Sequence, residues 1–228
     1  MPESKDEAVG FQTSRGINGY SSEFGMGENG ILEWLSGKKR VLDLGAGGGL
    51  LNKEIELMKR LSLKVPDTDI IPLDIAYGSK EGTEYSQYST HLAFTNLGIH
   101  PTVELINDIN SSFEDASVHG SFTATGFGDN EFEGVVACAT MGIHLKSKEQ
   151  MLTAYTEVFR ILKEGGKVLI SVIYNPVTQK LRTADKTRSE SYTTKELESI
   201  GFSDIKLNKS SKTIGGKIIE SWFLSATK

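Results

Sequence analysis

The chain carries one cysteine, Cys138, in 228 residues, so no disulfide can form within it. That suits a reducing compartment. Apolar neighbours make a buried, inert thiol the simplest reading of Cys138. No uninterrupted apolar run approaches the roughly 20 residues that cross a bilayer. The opening MPESKDEAVG is polar and acidic, unlike a signal peptide. Positive charge is not in excess either. The formal net charge is -5, which argues against a protein that grips a nucleic-acid backbone. Lys59, Arg60 and Lys64 lie close together, but a solvated helix face accounts for them. Four histidines (His91, His100, His119, His144) and the cysteine show no zinc-ligand spacing. These absences leave a cytoplasmic protein without metal, membrane or nucleic-acid partner as the expectation.

What is present is ordinary for a globular domain: 38% apolar and 24% charged residues. Residues 1–35 read as a flexible or helical segment, with a short helix over Asn29–Leu35. Residues 36–228 read as one α/β domain with no repeat and no linker. Val41–Leu44 is the clearest strand. Leu50–Leu63 follows as a helix with Leu51, Ile55 and Met58 in one apolar row. Ile70–Leu73 reads as a second strand, although Pro72 removes a backbone donor there. A helix near Tyr85–Leu97 and a third strand over Thr102–Ile106 come next. Gly134–Ala139 is a fourth strand without charge. Lys148–Leu162 is a helix stopped at Gly165-Gly166, and Lys167–Ile173 is a fifth strand. Thr193 and Glu196 have capping-box spacing ahead of a short helix. Asp204–Leu207 and Lys217–Leu224 close the chain as a strand pair. Charge-poor strands alternating with helices fit a sheet covered on both faces.

The stretch Val41-Leu42-Asp43-Leu44-Gly45-Ala46-Gly47-Gly48-Gly49 runs from a buried strand into a glycine turn. Backbone stripped of side chains at that place makes room for a ligand. A dinucleotide loop needs its third glycine where Leu50 stands, and a P-loop needs a Lys-Ser or Lys-Thr pair that is absent.

Asp43-x-Gly45-x-Gly47-x-Gly49 resembles the first motif of class I S-adenosylmethionine-dependent methyltransferases. The likeness continues in order along residues 36–228. Phe132-Glu133-Gly134-Val135-Val136 resembles the family's entry into strand four, and Ile143-His144-Leu145 its segment just beyond. Phe159–Gly166 is similar to the Arg-x-Leu-Lys-Pro-Gly-Gly turn, with Glu164 in the proline place. Tyr192–Leu197 and Ile200-Gly201-Phe202 resemble the approach to strand six. The resemblance implies a three-layer fold with a mostly parallel seven-stranded sheet whose last strand is antiparallel. It also implies S-adenosyl-L-methionine as cofactor.

Carried over residue by residue, the resemblance places Asp43, Gly45, Ala46, Gly47 and Gly49 around the cofactor. It places Asp74, at the end of strand two, on the ribose hydroxyls. Two alignments are open for the adenine side: Asp108 after a strand at Thr102–Ile106, or Ser121-Phe122 counted back from Phe132. Cys138 leaves strand four near the transferred methyl group. His144 is the candidate base for an acceptor that must lose a proton. Tyr20, Tyr77, Tyr85, Tyr88 and Tyr174 are candidates to line an acceptor pocket. Neither an Asn/Asp-Pro-Pro-Tyr motif nor a Pro-Cys pair is present, which favours a small-molecule acceptor over nucleic acid. A non-catalytic member that binds cofactor or a partner protein is the alternative. Glycine-punctuated aromatics before Val41 suggest that residues 1–35 fold over the cofactor as a lid.

Overall fold

The computed structural model describes residues 15–27, 29–138, 148–172, 194–214 and 217–228. In chain order the elements are α1 (Ile17–Glu23), α2 (Gly30–Leu35), β1 (Arg40–Leu44), α3 (Leu50–Arg60), β2 (Asp69–Asp74), α4 (Lys80–Asn96), α5 (Val103–Ala116) and β3 (Val118–His119). There follow β4 (Phe132–Ala137), α6 (Lys148–Ile161), β5 (Leu162–Val172), α7 (194–200), β6 (Ser203–Ile214) and β7 (Lys217–Thr227).

The seven strands form one sheet in the order β3-β2-β1-β4-β5-β7-β6. β1 through β5 pair in parallel, and β7 runs antiparallel to both of its neighbours. This is the expected sheet. Its strand order reverses between β1 and β4, and such a reversal opens a crevice at the carboxyl ends of the two strands. The glycine loop follows β1 at that point.

Alternation along β1 splits its side chains between two cores. Leu42 and Leu44 face one layer, with Val135 and Ala137 of β4 and with Tyr155, Val158 and Ile161 of α6. Val41 faces the other, with Ile17 and Tyr20 of α1, Phe24 at its C-cap, Ile31 and Leu35 of α2, and Leu51 and Ile55 of α3. By the same parity, Asp43 opens toward α1.

Several expectations need correction. The third strand is not at Thr102–Ile106. Thr102 is instead the N-cap of α5, its Oγ1 accepting from Leu105 N at 3.2 Å. Leu105, Ile106 and Ile109 then recur at helical spacing and pack on Leu50, Leu57 and Phe94. The short β3 comes later, pairing only with Leu73 and Asp74. Pro72 is tolerated for that reason: β3 begins one register step beyond it, so β2 is an edge there. The segment before α2 is also more ordered than its composition suggests, because Ile17–Glu23 is a helix docked on the core. β6 and β7 run longer than read, and α4 starts earlier, where Ser79 Oγ accepts from Gly82 N at 3.0 Å. Thr193 lies outside the described residues.

Candidate functional site

Three successive amides fasten the glycine loop to the end of β2. Gly45 N and Ala46 N both donate to Leu73 O, at 2.7 and 3.2 Å. Gly47 N donates to Asp74 Oδ2 at 3.0 Å. The other oxygen of Asp74 accepts from Ala76 N at 3.1 Å, and the side chain is half-buried. A carboxylate offers about four lone-pair sites, so one side chain can serve several donors at once.

Two glycines in the loop have separate physical causes. Gly49 sits at φ +70°, and a Cβ there would meet the Phe113 ring at 1.9 Å. Phe113 thus fills the space beneath the turn. Gly47 sits at φ +57°, and a Cβ there would enter open space with nothing within 4 Å. The bare backbone of Gly47 faces room rather than packing.

Asp43 is 1% exposed. Tyr20 Oη donates to its Oδ1 at 2.6 Å, while its Oδ2 is buried without a hydrogen-bond partner. Burial pushes this carboxyl up to about 7. The Tyr20 bond pulls against that rise, and the charge of Asp74 adds to it. Burial and Asp43 hold the Tyr20 phenol far above its ordinary range, so it acts as the donor. Helix α1, which carries Tyr20, is tied down at its start: Ile17 N donates to Glu54 Oε2 at 2.6 Å, and Asn96 Nδ2 donates to Glu54 Oε1 at 2.7 Å.

Cys138 directly follows β4 on the same side. It is 4% exposed, and burial raises its thiol to about 12, which makes it inert as a nucleophile. The Ser171 hydroxyl lies 4.0 Å from its sulfur.

Asp43, Gly45, Ala46, Gly47, Gly49, Asp74 and Cys138 are therefore gathered where β1, β2 and β4 end. Asp108 is not among them. It lies on the outer face of α5, its side chain 61% exposed and 3.2 Å from Arg60 Nη1, because the strand that was to deliver it is a helix. Ser121 follows β3 instead, two residues after His119, bridged to Ala124. The second alignment is the one that this strand position matches. His144 and Tyr174 lie outside the described residues. Tyr85 and Tyr88 meet edge to face along α4, with Tyr88 exposed. Tyr20 and Tyr77 are buried beside the acids. Tyr77 packs on Phe113 at 5.5 Å between ring centroids and lies against Ala46. Sequence reading named Tyr20 without its partner, since 23 residues separate it from Asp43.

The acceptors suit a ligand with a cationic group and hydroxyls: Asp43 has a buried oxygen without a partner, Asp74 places a carboxylate at the end of β2, and the space over Gly47 admits atoms close to the backbone. S-adenosylmethionine carries both kinds of group. Among the described residues there is no group of three metal-ligating side chains and no helix long and apolar enough to cross a membrane.

Comparison with known proteins agrees. A family model described as a methyltransferase domain matches residues 42–170. No curated protein matches the chain in sequence. Among solved structures, an S-adenosylmethionine-dependent methyltransferase from Methanosarcina mazei is similar with TM-score 0.55 at 16% identity, over 87% of this chain and 96% of that one. One from Thermotoga maritima, described as a possible histamine N-methyltransferase, gives TM-score 0.50 at 15% identity, over 92% and 89%. Phosphoethanolamine N-methyltransferase 2 of Haemonchus contortus, solved with phosphomonomethylethanolamine and S-adenosylhomocysteine, gives 0.53 at 13% identity, over 96% of this chain and 55% of that one. The family model spans more than half of the sequence and these structures share its fold: the chain belongs to the methyltransferase-domain family, and it is an S-adenosylmethionine-dependent methyltransferase.

Proposed function

We propose that the protein transfers the methyl group of S-adenosylmethionine to a small-molecule acceptor, and that Asp43, the Gly45–Gly49 loop, Asp74 and Cys138 form the cofactor site. One observation carries the assignment of the site. A buried carboxylate oxygen without a partner, Asp43 Oδ2, stands beside a glycine loop whose central residue faces open space. An unsatisfied buried polar atom costs roughly 1–3 kcal/mol, and a cationic ligand group repays that cost.

When bound, S-adenosylmethionine supplies an electrophilic S-methyl carbon that a lone pair of the acceptor displaces from sulfur. The chain's part is alignment. Asp43 attracts the cation, Asp74 holds the sugar hydroxyls, and the amides of Gly45, Ala46 and Gly47 keep the loop fixed to β2. The residues after β3, from Ser121 onward, stand on the adenine side in place of Asp108. Helix α1 lies over Asp43 and serves as the lid expected of residues 1–35. His144 is retained as the candidate base, needed only for an acceptor that must lose a proton.

The acidic balance and the missing base-recognition motifs support a small acceptor. So do the substrates named for the Thermotoga and Haemonchus proteins. Titration calorimetry with S-adenosylhomocysteine tests the site. The wild type binds, and Gly47→Arg (G47R) abolishes binding while the far-ultraviolet circular dichroism is retained, because the new side chain fills the space over the loop. A folded G47R protein of unchanged affinity would place the ligand elsewhere.

A further inference from the structure

We infer that Tyr20 is a positioning residue for the cofactor: its phenol holds Asp43 Oδ1 so that the bare Oδ2 remains charged and directed at the ammonium group that S-adenosylmethionine and S-adenosylhomocysteine share. The inference rests on the proposed seat at Asp43 and adds to it a residue from outside the glycine loop.

The geometry makes the pairing specific. Tyr20 is 3% exposed, and its hydroxyl donates over 2.6 Å to one oxygen only. A tyrosine serving as packing would need no hydroxyl in this core of Ile17, Phe24, Leu51 and Val136. The helix that carries it is registered independently, by the Glu54 carboxylate at Ile17 N and by the Phe24 ring against Phe223 at 6.0 Å. These two anchors fix where the phenol falls. Oδ2 is itself buried, so the cofactor reaches it only through local opening around Asp43.

Other charges around Asp43 have different duties. Asp74 lies across the loop and opposes ionisation of Asp43. Tyr77, next along from β2, and Cys138, directly after β4, both stay protonated. Arg15 acts on Tyr20 and Cys138, and Glu23 acts on Cys138. On α3, Lys53 is turned to Ser86 and Glu54 to Ile17. Tyr20 is the group whose hydrogen bond favours the charged form of Asp43.

The consequence is a pH signature. Burial sets Asp43 near 7, so affinity for a cation falls as pH drops through neutrality. Removing the Tyr20 hydroxyl removes a force that lowers this value, so the midpoint moves upward. Calorimetric affinities for S-adenosylhomocysteine between pH 6 and 8.5 test this with wild type, Tyr20→Phe and Glu54→Gln. Tyr20→Phe is expected to weaken binding at pH 7 roughly 10-fold and to raise the midpoint by about one pH unit. Glu54→Gln keeps the Tyr20 hydroxyl but frees the start of α1, so it weakens binding with a smaller displacement of the midpoint than Tyr20→Phe. A Tyr20→Phe midpoint equal to that of wild type, or an equal displacement in Glu54→Gln, overturns the inference and leaves the cofactor site standing. Wild-type affinity that is flat over this range overturns the seat at Asp43 and the inference with it.

Discussion

Asp43 is where function and stability oppose each other. Its carboxyl is near 7 in the folded chain against an ordinary value near 3.8. Between those values the native state binds more protons than the unfolded state, so folding stability falls as pH rises from about 4 to 7 and stays reduced above. Asp43→Asn removes the burden. The expected outcome is a variant whose melting temperature exceeds that of wild type at pH 8, with the gain vanishing near pH 4. The same variant loses S-adenosylhomocysteine binding. Melting curves at both pH values check the first half and calorimetry the second; a variant less stable than wild type at pH 8 defeats the argument. Asp43, the glycines and Asp74 were legible in the sequence because short-range spacing encodes them: a strand, a stripped turn, and an acid at the next strand's end. Tyr20 was not legible as their partner. Its bond to Asp43 depends on how α1 crosses β1, and no local pattern carries that crossing.

Elements were legible where period and caps agreed, and illegible where they competed. α3 and α6 have long apolar rows, and both lie close to where their rows place them. Thr102–Ile106 misled because its brief alternation matches a strand while Thr102 also matches a helix cap. The deciding residues, Ile109 and Phe113, lie beyond that window and are buried at 0% and 3%. The error moved strand three, and Asp108 moved with it. α1 presents the opposite case, since residues 1–25 are rich in Gly, Ser and Glu and that composition hides a short helix. Its stability comes from tertiary packing. Ile17, Tyr20 and Phe24 are buried, each contributing roughly 1.5–3 kcal/mol, whereas an isolated helix of this length does not persist. An element held by tertiary contacts alone opens and closes as one unit. Limited proteolysis is therefore expected to cut near α1 in the free protein and to slow at least severalfold with saturating S-adenosylhomocysteine. Equal cleavage in both samples removes the lid.

At the scale of the whole molecule, the sheet order sets where the crevice lies, the loop beside it decides which ligand class enters, and stability reads that out. Anything that binds only the native state raises the unfolding free energy by RT ln(1 + [L]/Kd), about 2.7 kcal/mol at 100 times Kd. For a chain of 228 residues, each kcal/mol moves the melting temperature by about 2–4 °C. S-adenosylhomocysteine at 100 times its Kd should therefore raise the melting temperature by about 5–10 °C. NAD at the same concentration should leave it unmoved. A dinucleotide needs a glycine at the third position of its loop, where tight helix–strand contact lies beneath a pyrophosphate. This chain has Leu50 there, its side chain buried with Leu57 and Phe94. Its glycine at Gly49 clears Phe113 instead. Two loops that look alike in composition thus differ in what presses on them from below, and the thermal shift separates them. A larger shift with NAD than with S-adenosylhomocysteine would mean that the switch point between β1 and β4 seats a pyrophosphate, contrary to the packing of Leu50 and Phe113.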